Sequence, residues 1–257
     1  MSAITLIKEI SRVTFVVLLF CVPQFLVAQD SITPYSAVTF PSKKYGICFG
    51  NSQEFSGIRI NFRDIQVKRV SGVNFSLWIK MGANEAAEYH GINLGAFPSG
   101  GSFHGLNAGL LGCGTDDDQT GLSLGGLVVG CGGNLNGIAI SGIYTSIDGL
   151  NSKINGAGIS GLMLNCGYGI NGLAVGGLLV VSNHHINGMA VTAGYLETET
   201  IRGLSLAGYS KTKTMYGLSI AIFNSTQILH GLQVGVLNHA GNNPKGLKYL
   251  PLINFHP

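Results

Sequence analysis

Charge is scarce in this sequence. Asp, Glu, Lys and Arg make up 11% of its 257 residues, against about 25% in an ordinary soluble domain. The formal net charge is only +3, and the basic residues are scattered. No Lys/Arg stripe with interleaved aromatics is present, so the electrostatic footprint of a nucleic-acid binder is missing. Long apolar runs are equally few. One, Val13 to Val27, lies near the N-terminus, and it is short for a membrane span. No second run follows, so no transmembrane helix is expected beyond it. Signatures of catalysis are sparse too. Gly-rich segments such as Gly130-Cys131-Gly132-Gly133 lack the Gly-Lys-Ser/Thr ending of a phosphate loop. No His-Glu-x-x-His is present, and no Gly-x-Ser-x-Gly nucleophile elbow is expected. The expectation is a protein without catalysis, with no catalytic, cofactor-binding or metal-ligating residue to nominate.

Glycine and apolar residues fill the space that charge leaves. There are 39 glycines, and 46% of residues are hydrophobic. That balance opposes disorder, and no Gly-X-Y period points to collagen. Many short strands separated by turns are the natural reading.

Segment 1–28 reads as a signal peptide. Lys8 and Arg12 supply a positive start, Val13 to Val27 an apolar run, and Leu26-Val27-Ala28-Gln29-Asp30 a cleavage site. Cys21 follows Phe20 rather than a small residue, which argues against a lipoprotein. Export permits disulfides. The mature chain keeps Cys48, Cys113, Cys131 and Cys166. Four cysteines allow three pairings, and sequence does not choose among them.

One phrase organises the rest: apolar, any residue, Gly, apolar, small or polar, apolar. It is clearest in Ile186-Asn187-Gly188-Met189-Ala190-Val191 and in Leu229-His230-Gly231-Leu232-Gln233-Val234. Its anchor glycines stand at positions 57, 72, 91, 105, 121, 137, 156, 172, 188, 203, 217, 231 and 246. The step from one anchor to the next is nearly constant, and a fixed period of this kind marks a repeat architecture. After each anchor, apolar residues alternate, which is the strand signal. The apolar residue before the glycine has the opposite parity, so side-chain direction is expected to switch at the glycine, which permits a corner. Residues 29–54 read as a linker or N-terminal cap, 55–240 as the repeat array, and 241–257 as a C-terminal cap.

Two all-β architectures fit. The favoured one is a β-solenoid of about 13 short repeats, each coil stacking in parallel on a copy of itself. The alternative is an outer-membrane β-barrel with one strand per repeat. Antiparallel barrel neighbours give no reason for an identical directional phrase, and the spacings do not alternate. In a solenoid, Asn136, Asn155, Asn171 and Asn187 would stack as an amide ladder, although Asn-Gly is also a common turn pair. His90 and His104 would stack about 4.8 Å apart. Cys131 and Cys166 would lie two coils apart, too far for a disulfide, which leaves Cys113–Cys131 as the better pair beside the reading of buried free thiols. Asp116-Asp117-Asp118 reads as a solvated turn rather than a Ca²⁺ loop. Thr198-Glu199-Thr200 and Thr212-Lys213-Thr214 repeat a Thr-x-Thr that fails in neighbouring coils.

The repeats, the segment Gly231-Leu232-Gln233-Val234-Gly235-Val236-Leu237-Asn238 and the ending Leu250-Pro251-Leu252-Ile253-Asn254-Phe255 resemble the bacterial surface-repeat-containing proteins of Bacteroidetes and spirochaetes. Ala28-Gln29-Asp30 is similar to a Bacteroidetes export-signal ending. The resemblance covers roughly residues 55 to 257, rests on degenerate repeats, and is weakest around Arg59, Phe62 and Trp78. It implies an exported protein of the cell surface or outer membrane of a Gram-negative bacterium, and it carries no catalytic residue over. The expected role is structural or adhesive, toward a protein or glycan partner, with specificity in the polar segments 182–185, 197–200 and 210–214. A barrel would instead act as a pore or anchor.

Overall fold

The computed structural model describes residues 36–81 and 87–257. The expected signal peptide lies outside them. The described residues belong to one compact unit, Pro34–Pro257, whose strands form a β-solenoid and not a barrel. The coil that starts at Gly169 shows how. A long leg, Gly169–Gly176, passes through its corner at Gly172. After Gly177 and Leu178, a short leg, Leu179–Ser182, returns. Asn183 and His184 then lead into the next long leg, His185–Thr192. That leg lies parallel and in register with the first, Ile170 beside Ile186, Gly172 beside Gly188 and Val175 beside Val191. The short legs stack in the same way, Val180 beside Leu196. Barrel neighbours would run antiparallel, so this register excludes the alternative.

The glycine column is what lets the coils close up. Gly46, Gly57, Gly72, Gly91, Gly105, Gly121, Gly137, Gly156, Gly172, Gly188, Gly203, Gly217 and Gly231 all have φ between +112° and +140°, a region L side chains rarely adopt. At Gly172 a Cβ would also sit 2.0 Å from the carbonyl oxygen of Gly156. Each corner is thus glycine for two reasons, backbone conformation and contact with the coil below. The stacking reaches further toward the N-terminus than the repeat phrase does. Gly46 lies beside Gly57 in a parallel pair, within the segment read as a linker. Gly246 is not part of the column. It lies in the 3₁₀ turn Lys245–Leu247, and a Cβ there would meet nothing within 4 Å.

Side-chain direction follows strict alternation, and the expected switch at the glycine does not occur. From Gly57 to Gly231, the residue two before each glycine points into the bore. Leu135, Ile154, Ile170, Ile186, Ile201, Met215 and Leu229 are all fully buried. The residue two after it also points inward and is small or polar. Ala139, Ala174, Ala190 and Ser205 are fully buried as well. The reason is width. One large side chain from the leading half of each long leg, with one from the short leg such as Leu164, Val180 or Leu196, fills the bore. In the coils of Gly137, Gly172, Gly188 and Gly203, whose trailing inward residues are Ala139, Ala174, Ala190 and Ser205, a second large residue from the trailing half has no room. Each fully buried aliphatic contributes about 1.5–3 kcal/mol, so the stacked bore column is the main source of stability. Toward the N-terminus, Val67, Val70, Ala87, Tyr89 and Phe103 form a separate apolar cluster.

Both ends are closed by strands running the other way. Ser36–Pro41 pairs antiparallel with Tyr45–Asn51. Tyr249–His256 pairs antiparallel with the last coil, Phe255 beside Leu232 and Ile253 beside Val234. Terminal units that differ from the repeats are expected in stacked arrays, whose open edges must be covered.

Candidate functional site

Strict alternation has an outward consequence. The residues one and three after each glycine cannot enter the bore, so they face out. In every coil from Gly46 to Gly231 both positions are apolar. The first column runs Ile47, Ile58, Val73, Ile92, Leu106, Leu122, Ile138, Ala157, Leu173, Met189, Leu204, Leu218 and Leu232. The second runs from Phe49 through Ile60, Phe75, Ile140 and Ile220 to Val234. Phe49 is 56% exposed, Ile60 and Ile220 are 41% and Ile140 is 39%, whereas Ala139 between the two columns is 0%. The end strands extend both columns: Phe40 aligns with Ile47 and Val38 with Phe49, and Phe255 and Ile253 align at the other end. Thirteen coils and two end strands make fifteen ranks with no charged side chain in either column. Beside the second column, Leu111, Leu127, Ile143, Leu162 and Leu178 add a further exposed apolar row. Soluble monomers seldom expose an apolar patch beyond a few hundred Å².

The opposite border of this face is polar. It is the column just before the glycines, and like stacks on like. Asn155 donates from its amide to Asn136, Asn171 to Asn155, and Asn187 to Asn171, each at 2.9 Å. The expected amide ladder is therefore present. His90 and His104 stack with centroids 4.8 Å apart, as the register requires. Tyr216 and His230 stack at 4.9 Å, and Arg202 lies over the Tyr216 ring at 5.6 Å.

Inside the N-terminal coils lies a polar cluster that sequence reading does not find. Arg59 occupies the inward position two after Gly57 and is fully buried. Its guanidinium donates to Asp64 at 2.7 Å, Asn74 at 2.8 Å and Asn51 at 2.9 Å. The Tyr89 hydroxyl donates to the other Asp64 oxygen at 2.7 Å. Burial pushes the Asp64 carboxyl up, but the Arg59 charge and hydrogen bonds from Asn61, Tyr89 and Arg59 outweigh it and hold the group below its ordinary value. Burial, and then the Asp64 charge, push the Tyr89 hydroxyl well up. The cluster joins the coils of Gly46, Gly57, Gly72 and Gly91 and fills the trailing half of the bore there, beside the apolar Phe55 and Val70 of the leading half. The signal for it in sequence is parity: Arg59, Asn74, Asn93 and Asn107 hold the inward position of successive coils.

None of the four cysteines among the described residues is bridged. Cys48, Cys113, Cys131 and Cys166 are free and buried. Of the two sequence readings, the buried free thiols hold and the Cys113–Cys131 pairing fails by register, because Cys113 stands beside Val129 and Cys131 beside Thr115. Cys131 and Cys166 are two coils apart, with Ile147 between them. Burial drives the Cys113 thiol up to about 12 and the Cys131 thiol to about 11, so neither is a ready nucleophile. Gly121-Leu122-Ser123-Leu124-Gly125 does spell Gly-x-Ser-x-Gly. Ser123, however, faces the bore at 1% exposure, in the straight part of a strand that pairs parallel with its neighbour. It is a repeat residue and not an elbow.

The remaining candidates sit in turns or along the short legs. Asp118 accepts hydrogen bonds from the Asn134 backbone and side chain, at 2.6 and 3.2 Å, and so caps a turn of the next coil. Thr198 and Thr212 are buried, with Thr212 bonded to Thr226 at 2.8 Å, so the Thr-x-Thr repeats point partly into the bore. The segments 197–200 and 210–214 are strand rather than turn. Their outward residues form ion pairs across coils, Lys211 with Glu197 at 2.9 Å and Lys213 with Glu199, and His184 contacts Glu199 at 3.2 Å. Among the described residues no group of three or more His, Cys, Asp or Glu could hold a metal ion.

Fold and surface together define a class: a capped β-solenoid with an apolar outer face. No protein-family model, curated protein or solved structure matches the chain.

Proposed function

We propose that this protein is an exported, non-catalytic surface or envelope module with a structural or adhesive role, and that it engages its partner through the apolar face. The carrying observation is that face: two outward columns without one charged residue along fifteen ranks. A solvated rod has no need of it, and burial of such area is the usual driving force of association. The resemblance to bacterial surface-repeat proteins and the signal-like segment 1–28 support export. A glycan partner fits less well. Glycan sites draw on polar groups, and the polar Asn, His and Tyr border would supply only the rim.

The test is labelling of intact producing cells with a membrane-impermeant amine reagent. Lys211 and Lys213 lie on the outward side of the short legs and are partly exposed. Labelling of intact cells is the expected result. Labelling only after lysis would overturn the surface reading.

A further inference from the structure

We infer that the apolar face is covered by a second copy of this chain, the two solenoids packing face to face as a twofold dimer. The inference rests on the reading of that face as an interaction surface and names its occupant.

Size comes first. Fifteen ranks at about 4.8 Å give a face about 67 Å long. The two columns and the Leu111–Leu178 row make it about 15 Å wide, so each copy would bury on the order of 1,000 Å². A stable interface needs about 800 Å² per partner. Form comes next. Side chains of both columns repeat at the strand spacing, so the same face on a second copy offers a matching comb, and sheets pack face to face at about 10 Å through such side chains. A twofold interface requires a surface complementary to itself. An uncharged apolar comb meets that condition, because no like charges are brought together.

The rim argues against the main competitor, a lipid surface. Interfacial membrane proteins carry Lys and Arg around their apolar face. Here the adjoining column is mostly Asn, Ser, His and Tyr, with Arg202 its one cation. Such a rim suits the polar edge of a protein interface better than a contact with phospholipid headgroups.

The fifteen ranks have a middle, the coil of Gly137. In a fully overlapped twofold pair this coil lies opposite itself, whether the rods run parallel or antiparallel. Ile138 and Ile140 then meet the same coil of the partner. Both point outward and are partly exposed, so charging them leaves the bore intact.

The experiment is sedimentation equilibrium of the purified full-length chain at micromolar concentration, with Ile140→Lys and Ile140→Glu variants. Wild type is expected to be a dimer. Each variant alone is expected to be monomeric, with association weakened at least about a thousandfold, since two uncompensated like charges would be buried together, and with an unchanged circular dichroism spectrum. An equimolar mixture of the two variants is expected to recover the dimer, a rescue that misfolding cannot give. A monomeric wild type overturns the inference. So does a dimer that survives either substitution. Wild type that is monomeric but floats with phosphatidylcholine vesicles, while Ile140→Lys does not, overturns the dimer and leaves the face as an interaction surface. Wild type that is monomeric, ignores vesicles and shows no envelope association overturns both readings.

Discussion

Gly172→Ala and Gly246→Ala are the same chemical change at two glycines that the sequence presents as members of one series. The structure separates them sharply. At Gly172 the backbone has φ +131° and a new Cβ would lie 2.0 Å from the Gly156 carbonyl oxygen, where real Cβ contacts essentially never come closer than 3.0 Å. Relief requires the coils to part by about 1 Å or the leg to rotate, and the backbone strain alone costs about 1–3 kcal/mol. Parting loosens one or two ladder hydrogen bonds, each about 1 kcal/mol net. The expected loss is therefore about 3–5 kcal/mol. At Gly246 the Cβ has open space and φ is not in the left-handed region, so the change is expected within about 0.5 kcal/mol. Urea unfolding followed by far-UV circular dichroism measures both. Stacked arrays can unfold in more than one step, so midpoints are compared alongside the slope. Equal midpoints for Gly172→Ala and wild type would refute the corner argument, as would equal damage at the two sites.

Ala174→Leu places a large side chain at a fully buried inward position and is expected to cost about 1–3 kcal/mol by overpacking, while outward Leu173→Ala changes stability little. The same urea assay checks the contrast, and the reverse order would show that the bore has been assigned to the wrong parity. Asp64→Asn leaves the Arg59 charge buried without its carboxylate and is expected to cost about 3–5 kcal/mol. Because the folded Asp64 carboxyl is held below the ordinary 3.8, its stabilisation is fully present above that value and is lost as pH falls below it toward the folded-state value. The gap between wild type and Asp64→Asn should narrow on acidification, and a gap that widens would contradict the assignment. Iodoacetamide at pH 8 should leave Cys113 and Cys131 unmodified in the native protein and alkylate both after unfolding in guanidinium. Intact-mass measurement reads this, and native labelling or a disulfide mass deficit would overturn the buried-thiol description.

Much of the architecture was legible because a stacked coil repeats its own constraints. The corner needs glycine in every coil, so the period was written into the sequence, and parallel register followed from an identical directional phrase. The Asn ladder was legible for the same reason. What sequence reasoning got wrong was inside versus outside. Alternating Leu218 and Ile220 look like a core face, and they are not, because Ile201, Met215 and Leu229 already fill the bore from the other half of the leg. Only counting parity through the glycine, from two before it to two after it, reveals this. Gly46 escaped notice because its coil is short, and Gly246 was included because Lys245-Gly246-Leu247 imitates the phrase without stacking. The Arg59–Asp64 cluster was hidden because its members come from several coils, and nothing in a linear reading brings Tyr89 to Asp64.

The reversed strands at the two ends also bear on how such a molecule can vary in length. A new coil cannot be added outside them, since the exposed edge they present has the wrong polarity for the parallel register of the coils. Growth is confined to the interior, where a duplicated repeat could slip between two existing glycines and find both neighbours already shaped to receive it. Each insertion would lengthen the rod by about 4.8 Å and add one more pair of outward apolar residues. Length and outward apolar area are thus coupled in a single countable unit.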